Sequence, residues 1–148
     1  MRKLTRKEVL EIVEKAHEQG KAPDLSEEDL YGADLRWAKL NGADFNGANL
    51  SGANLSEANL FEANLSGVDL NRANLSGADL RRADLRGADL TEVMLNDTNF
   101  SNAIIEKTIF VEVDLSQTIG LATVIHKGSP IIDINTIYKS KVKFHGYF

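Results

Sequence analysis

Every fifth residue from Leu30 to Leu115 is apolar, eighteen positions in a row without a gap. Ten consecutive centres are leucine: Leu50, Leu55, Leu60, Leu65, Leu70, Leu75, Leu80, Leu85, Leu90 and Leu95. Phenylalanine replaces leucine at Phe45, Phe100 and Phe110, and the bulkier rings are expected to plug the interior near its ends. Two residues before each centre runs a second column of small or β-branched residues, with Ala53, Ala58, Ala73 and Ala78 typical and only Glu28 breaking it. A step of five suits neither regular element. On a helix it advances the apolar position by about 140° each time, smearing it round the surface. On a flat strand an odd step flips the leucine to the opposite face at every repeat. The pattern works if the chain turns a corner once per pentad, so that alanine and leucine point inward together and the other three positions face water. A chain that corners repeatedly in one direction closes into coils, and stacked coils make an all-β solenoid.

Open solenoid ends expose core and unpaired backbone, so each end needs a cover. At the N-terminus, Thr5 and Glu8 form a capping box, Leu4 and Val9 a hydrophobic staple, and Gly20 can end the helix at C′. Val9, Ile12, Val13 and Ala16 share one face of this amphipathic helix, which is expected to lie on the first coil as a lid, the alternative being a partner-binding helix. Trp37 falls at an outward position, with a place under the helix as its alternative. After Leu115 the repeat fades. "ATVIH" reads as a strand, "KGSP" as a turn and "IIDINTIYKSK" as a helix following Pro130. The expected divisions are a capping helix over 1–24, the β-solenoid over 25–118 and a short mixed C-terminal tail over 119–148.

The net charge of −5 removes the basic footprint of a nucleic-acid binder. With no apolar run near twenty residues and no leader-like N-terminus, the expectation is a cytoplasmic protein with no membrane contact. The absence of cysteine removes disulfides and thiolate chemistry. His17, His126 and His145 are scattered without metal-ligand spacing, and no nucleophile–base motif occurs. The reading is therefore no catalytic residue, no metal, no cofactor and no small-molecule substrate. The Asn and Asp before each centre read as hydrogen-bonded ladders between coils. Glycine at corner positions 42, 47, 52, 67, 77 and 87 reads as compatible with the turn, since Glu and Arg also occur there. Arg81, Arg82 and Arg86 form a basic cluster on an acidic chain, read first as a solvated face in salt bridges and otherwise as the candidate docking patch.

The stretch "ADLRWAKLNGADFNGANLSGANLSEANLFEANLSGVDLNRANLSGADLRRADLRGADL" resembles the pentapeptide repeat family, whose motif is A(D/N)LXX. That resemblance implies a right-handed quadrilateral β-helix with four pentapeptides, or twenty residues, per coil, hence about four and a half coils here. Surface charge alone does not choose between coils of twenty and coils of fifteen. With twenty, Glu62 stacks on Arg82, Arg72 on Glu92 and Arg86 on Glu106, at the cost of Glu92 on Glu112. The resemblance decides for twenty. It also implies a non-catalytic structural or protein-interaction module with an unknown protein partner, as a monomer or weak end-to-end dimer. Two alternatives stand: a DNA mimic that modulates DNA gyrase, or the truncated regulatory half of a multidomain bacterial signalling protein. The second rests on the tail, which is similar to a segment that follows pentapeptide repeats in bacterial proteins, some of which carry a TIR domain.

Overall fold

The residue two after each centre, from Glu27 to Glu112, has a φ of 52–70°, the left-handed region. The next N–H then bonds back to the centre's carbonyl, as Ala53 N–H does to Leu50 O at 3.0 Å. These are the marks of a type II turn, one per pentad. The computed structural model describes residues 3–140, and these corners divide most of it into short straight segments. Parallel bridges join each segment to the one twenty residues on: Asp24 to Asp44, Asn49 to Asp69, Asp79 to Asn99. Four segments therefore complete a coil, and Leu50 stacks on Leu70 rather than Leu65.

The four walls can be named by their centres. Wall 1 carries Leu30, Leu50, Leu70, Leu90 and Phe110; wall 2 carries Leu35, Leu55, Leu75, Leu95 and Leu115. Wall 3 carries Leu40, Leu60, Leu80 and Phe100; wall 4 carries Leu25, Phe45, Leu65, Leu85 and Ile105. All ten leucines from Leu50 to Leu95 are at most 1% exposed, as are Ala53, Ala58, Ala73 and Ala78. The alanine column exists because four walls converge on one lumen, where a larger side chain would overpack. Phe100 and Phe110 meet across the upper lumen with ring centroids 6.5 Å apart.

Helix α1 (Arg6–Glu18) precedes the first coil. Thr5 and Glu8 close the capping box, and Gly20 (φ 63°) ends the helix with paired bonds, Gly20 N–H to His17 O and Lys21 N–H to Ala16 O. That is a Schellman ending. Val9 and Val13 are buried in the common core, while Ile12 and Ala16 are more peripheral. The edge of the first coil finds donors in this segment: Leu4 N–H bonds Asp29 O, and the Arg6 guanidinium reaches Asp34 O at 2.6 Å and Arg36 O at 3.1 Å. Trp37 is not under the helix. It sits at a corner, 66% exposed, because it is the arginine, not an apolar residue of α1, that reaches this corner.

Toward the other end the register loosens. β1 (Ile104–Ile105) pairs with β3 (Ile125–His126) twenty-one residues on, and β2 (Ile109–Phe110) with β4 (Ile131–Ile132) twenty-two on. A 3₁₀ turn (Leu121–Thr123) lies between. Helix α2 (Ile134–Ser140) begins four residues after Pro130, because Ile131 and Ile132 are taken by the parallel pairing with β2. Its leading face supplies side chains to the last coil: Asp133 accepts from Glu112 N–H, the Thr136 hydroxyl from Val113 N–H and the Ser140 hydroxyl from Leu115 N–H. Spacings of three and four residues put Thr136, Ser140 and the helix-leading Asp133 on one side. His145 and the rest of the expected tail after Ser140 lie outside the described residues.

Candidate interaction surface

Each pentad has five backbone N–H groups, and the repeat disposes of all five. Around Leu50, for instance, Leu50 N–H bonds Asp69 O, Gly52 N–H bonds Asn71 O, Ala53 N–H bonds Leu50 O and Asn54 N–H bonds Ala33 O. The remaining donor, Ser51 N–H, bonds the Asn49 side-chain oxygen at 3.0 Å. This local bond, from the N–H two residues on, recurs at every pentad from Asp24 to Asp89 except that of Lys39. It explains the Asn or Asp before each centre better than ladders do, since only a short side-chain acceptor folds back onto its own turn. The ladders between coils exist but are fewer: Asn64 Nδ2 donates to Asp44 Oδ1 at 2.9 Å, and Asn49 Nδ2 to Asp29 Oδ1 at 3.4 Å. The outward side chains are thus fixed by the same bonds that complete the backbone.

Charge is fixed in the same way. The Arg82 guanidinium pairs with Glu62 at 3.1 Å and Arg72 with Glu92 at 3.1 Å, each across one coil step. Arg86 does not reach up to Glu106 for its ion pair; it folds onto Asp84 of its own pentad at 2.5 Å. The repulsion of Glu92 under Glu112 is offset by Lys139 of α2, whose ammonium lies 2.5 Å from Glu112. Hydrogen bonds from Arg81 hold the Asp79 carboxyl below its ordinary range, and those from Arg86 do the same for Asp84.

The arginine cluster has the salt-bridged character read first from the sequence. Arg81 and Arg82 lie on wall 3 and Arg86 on wall 4, and Asp79, Glu62 and Asp84 respectively neutralise them. Arg81 and Arg82 also cover Phe61, with guanidinium carbons 5.5 and 5.8 Å from the ring centroid. Arginine needed here to pack an aromatic and pair an acid is not a free basic surface. His17 lies in the last turn of α1 and His126 in β3, far apart in the chain. Among the described residues, no three His, Asp or Glu side chains converge in a way that could hold a metal ion. Sequence reading missed Met94. It occupies an Asn/Asp position on wall 2, where it is 51% exposed and offers no acceptor for the Asn96 N–H. The signal was there, as the first apolar residue in that column.

Pentapeptide repeats match the chain over residues 29–67, 58–97 and 83–119, in eight copies. No curated protein matches it. Among solved structures, a pentapeptide repeat protein (Rfr23) from the cyanobacterium Cyanothece 51142 is 43% identical over 57% of this chain and 58% of that one, with a TM-score of 0.57. The chain thus spans under two thirds of that relative's length. Alr5209, a pentapeptide repeat protein from Nostoc Pcc 7120, is 31% identical over 84% of this chain and 95% of that one, with a TM-score of 0.38. QnrB1, a plasmid-mediated fluoroquinolone resistance protein, is 22% identical over 82% of this chain and 63% of its own, with a TM-score of 0.43. With its corner-per-pentad backbone and a family match across more than half its length, the chain belongs to the pentapeptide repeat family, a right-handed β-helix solenoid in fold.

Proposed function

We propose that the protein is a rigid, non-catalytic protein-interaction module. In this reading it is a quadrilateral tower of about four and a half coils, covered by α1 at one end and by α2 with its preceding segment at the other. The observation that supports it is the fixing of the outer side chains by their own turns, pentad after pentad. A surface whose side chains are held before a partner arrives loses little rotamer freedom on binding, which favours affinity from a flat face. The chemistry such walls offer is recognition.

A duplex mimic for gyrase is the weaker reading. Residues 31–118 hold thirteen acidic and seven basic residues, but Lys39, Arg81 and Arg82 share wall 3, so the negative charge is not continuous round the tower. Purified protein should neither protect gyrase from quinolones nor inhibit supercoiling at micromolar concentration. For the interaction module itself, the immobilised chain is exposed to lysate of its native host. Retention of one or a few discrete proteins, competed by the free chain, is the expected result. Retention of nothing beyond bare resin overturns the module.

A further inference from the structure

We propose that wall 2 is the docking face, and that it receives a segment of a partner protein carrying apolar side chains and positive charge. This rests on the interaction-module reading and gives it a face and a partner chemistry.

Among the described residues three aromatics stand on the outer surface, Phe61 partly covered and Tyr31 and Trp37 both more than half exposed. Phe61 on wall 3 is covered by two guanidiniums of its own chain. Tyr31 on wall 1 has Lys3 Nζ 5.7 Å from its ring centroid. Trp37, at the corner of wall 2, carries one guanidinium, that of Arg36 at 5.1 Å, and remains 66% exposed. Its backbone has a φ of 58°, a region that is unfavourable for a bulky residue and that glycine fills at neighbouring corners. Folding therefore gains little from a tryptophan here. Met94, higher on the same wall, has replaced the Asn of the Asn54 and Asn74 column, giving up the turn bond while exposing half its side chain. The two apolar groups are three coils apart, about 14 Å along the tower axis. Tryptophan and methionine are both enriched where partners bind.

Charge selects the partner. The wall's one arginine, Arg36, is held bidentate by Asp34, with Nη2 to Oδ2 at 2.7 Å and Nε to Oδ1 at 2.8 Å. Arg6 of α1 reaches the same carboxylate. What is left between and beside the two apolar groups is Glu57 and Asp97, which have no cationic partner among the described residues. Arginines pair acids on walls 1, 3 and 4 as Arg36 does here. Asp69 and Asp89 on wall 1 and Asp44 and Glu106 on wall 4 likewise have no ion pair among the described residues. Wall 2 differs in setting its carboxylates beside both an exposed tryptophan and an exposed methionine. A flat wall with two apolar anchors and unneutralised carboxylates complements a basic, apolar segment.

Trp37 is the only tryptophan in the chain, so its fluorescence reports this face directly. The probe is a synthetic lysine–leucine peptide of about sixteen residues, about 24 Å long as a helix, titrated into the full-length protein. Expected is a saturable shift of Trp37 emission that weakens with added salt. A glutamate–leucine peptide should give none, and a lysine–serine peptide at least a tenfold weaker response. Glu57→Lys with Asp97→Lys should weaken the lysine–leucine response at least tenfold, while Arg81→Ser on wall 3 leaves it unchanged. An equal response to the acidic peptide, or no loss on reversing Glu57 and Asp97, overturns the proposal, as does no response at all. The lysate experiment separates this from the parent reading. Trp37→Ala with Met94→Asn keeps a Cβ at the corner and restores the Asn column, so the fold is retained, as circular dichroism checks. If this variant still captures the protein that the wild type captures, wall 2 is wrong and the module stands.

Discussion

Three threonines occupy the inner column normally held by alanine, and replacing two of them by valine should move stability in opposite directions. Thr98 Oγ1 donates to Leu75 O at 2.7 Å and Thr108 Oγ1 to Leu85 O at 2.7 Å, each reaching a carbonyl twenty-three residues back. The same step from Thr118 leads to Leu95 O, but Thr118 Oγ1 is buried with no partner among the described residues. The reason is local. Below this corner, Asp97 N–H bonds Gln117 O, twenty residues on instead of the nineteen seen at Gly77 with Asn96, so the turn is displaced along the wall. In Thr98→Val the carbonyl of Leu75 keeps its bond from Ala78 N–H, so no orphan is created. The loss is that of one net hydrogen bond, about 1 kcal/mol. In Thr118→Val an unsatisfied hydroxyl is removed and its shape kept, which should stabilise by about 1 kcal/mol, the low end of the penalty for such a group. For a chain of this length that corresponds to about 3 °C in melting temperature, down for Thr98 and up for Thr118. Urea unfolding monitored by circular dichroism, with calorimetry alongside, resolves both. Destabilisation of similar size at both positions would refute the assignment of Thr118 as an orphan.

A carboxylate in the lumen cannot be solvated, so Leu70→Asp should lose several kcal/mol and unfold whole coils, whereas Ser66→Asp on the outer surface should change stability by about 0.5 kcal/mol or less; matching urea curves for the two would mean the inward register is wrong. Deleting residues 1–20 uncovers the core next to Val9 and Val13 and frees the carbonyls that Arg6 satisfies, so sedimentation should show association and calorimetry a lower melting temperature. Asp79 and Asp84 have lowered folded pKa values, so their contribution is present above the unfolded value of about 4 and is lost as pH falls through the lower folded values. Arg81→Met with Arg86→Met should therefore flatten the fall in urea midpoint between neutral and acid pH; an unchanged slope would mean these pairs do not contribute.

What the sequence made legible was what repeats. Two inward columns at a five-residue step dictate burial directly, and Leu50 or Ala73 could be placed with no knowledge of its neighbours. The capping box of Thr5 and Glu8 is equally local and was readable for that reason. The partner of an outward charge was harder, because it depends on side-chain reach. Arg86 has a choice between Glu106 one coil up and Asp84 two residues back, and the nearer carboxylate wins since the turn already points it at the guanidinium. The start of α2 was misjudged because Pro130 is a good helix opener in isolation, while the unpaired edge of β2 claims the next two residues. The outward position of Trp37 was legible from the repeat register, and only the alternative place under the helix, which rested on hydrophobicity alone, does not hold. The candidate face was not visible at all until the walls were assigned, since Trp37 and Met94 lie fifty-seven residues apart in sequence.

The twenty-residue register also governs how such a gene can change length. Duplicating a single pentad between Trp37 and Met94 would leave every local bond of the turn intact, yet it would rotate all later residues by a quarter turn. Met94 would move to wall 3, the arginines of wall 3 to wall 4, and no stacked ion pair across the insertion would keep its partner. Duplicating four pentads adds one storey and returns every residue to its own wall. Selection acting on folding alone would tolerate either event, whereas selection acting on one face admits only insertions and deletions in steps of a full coil.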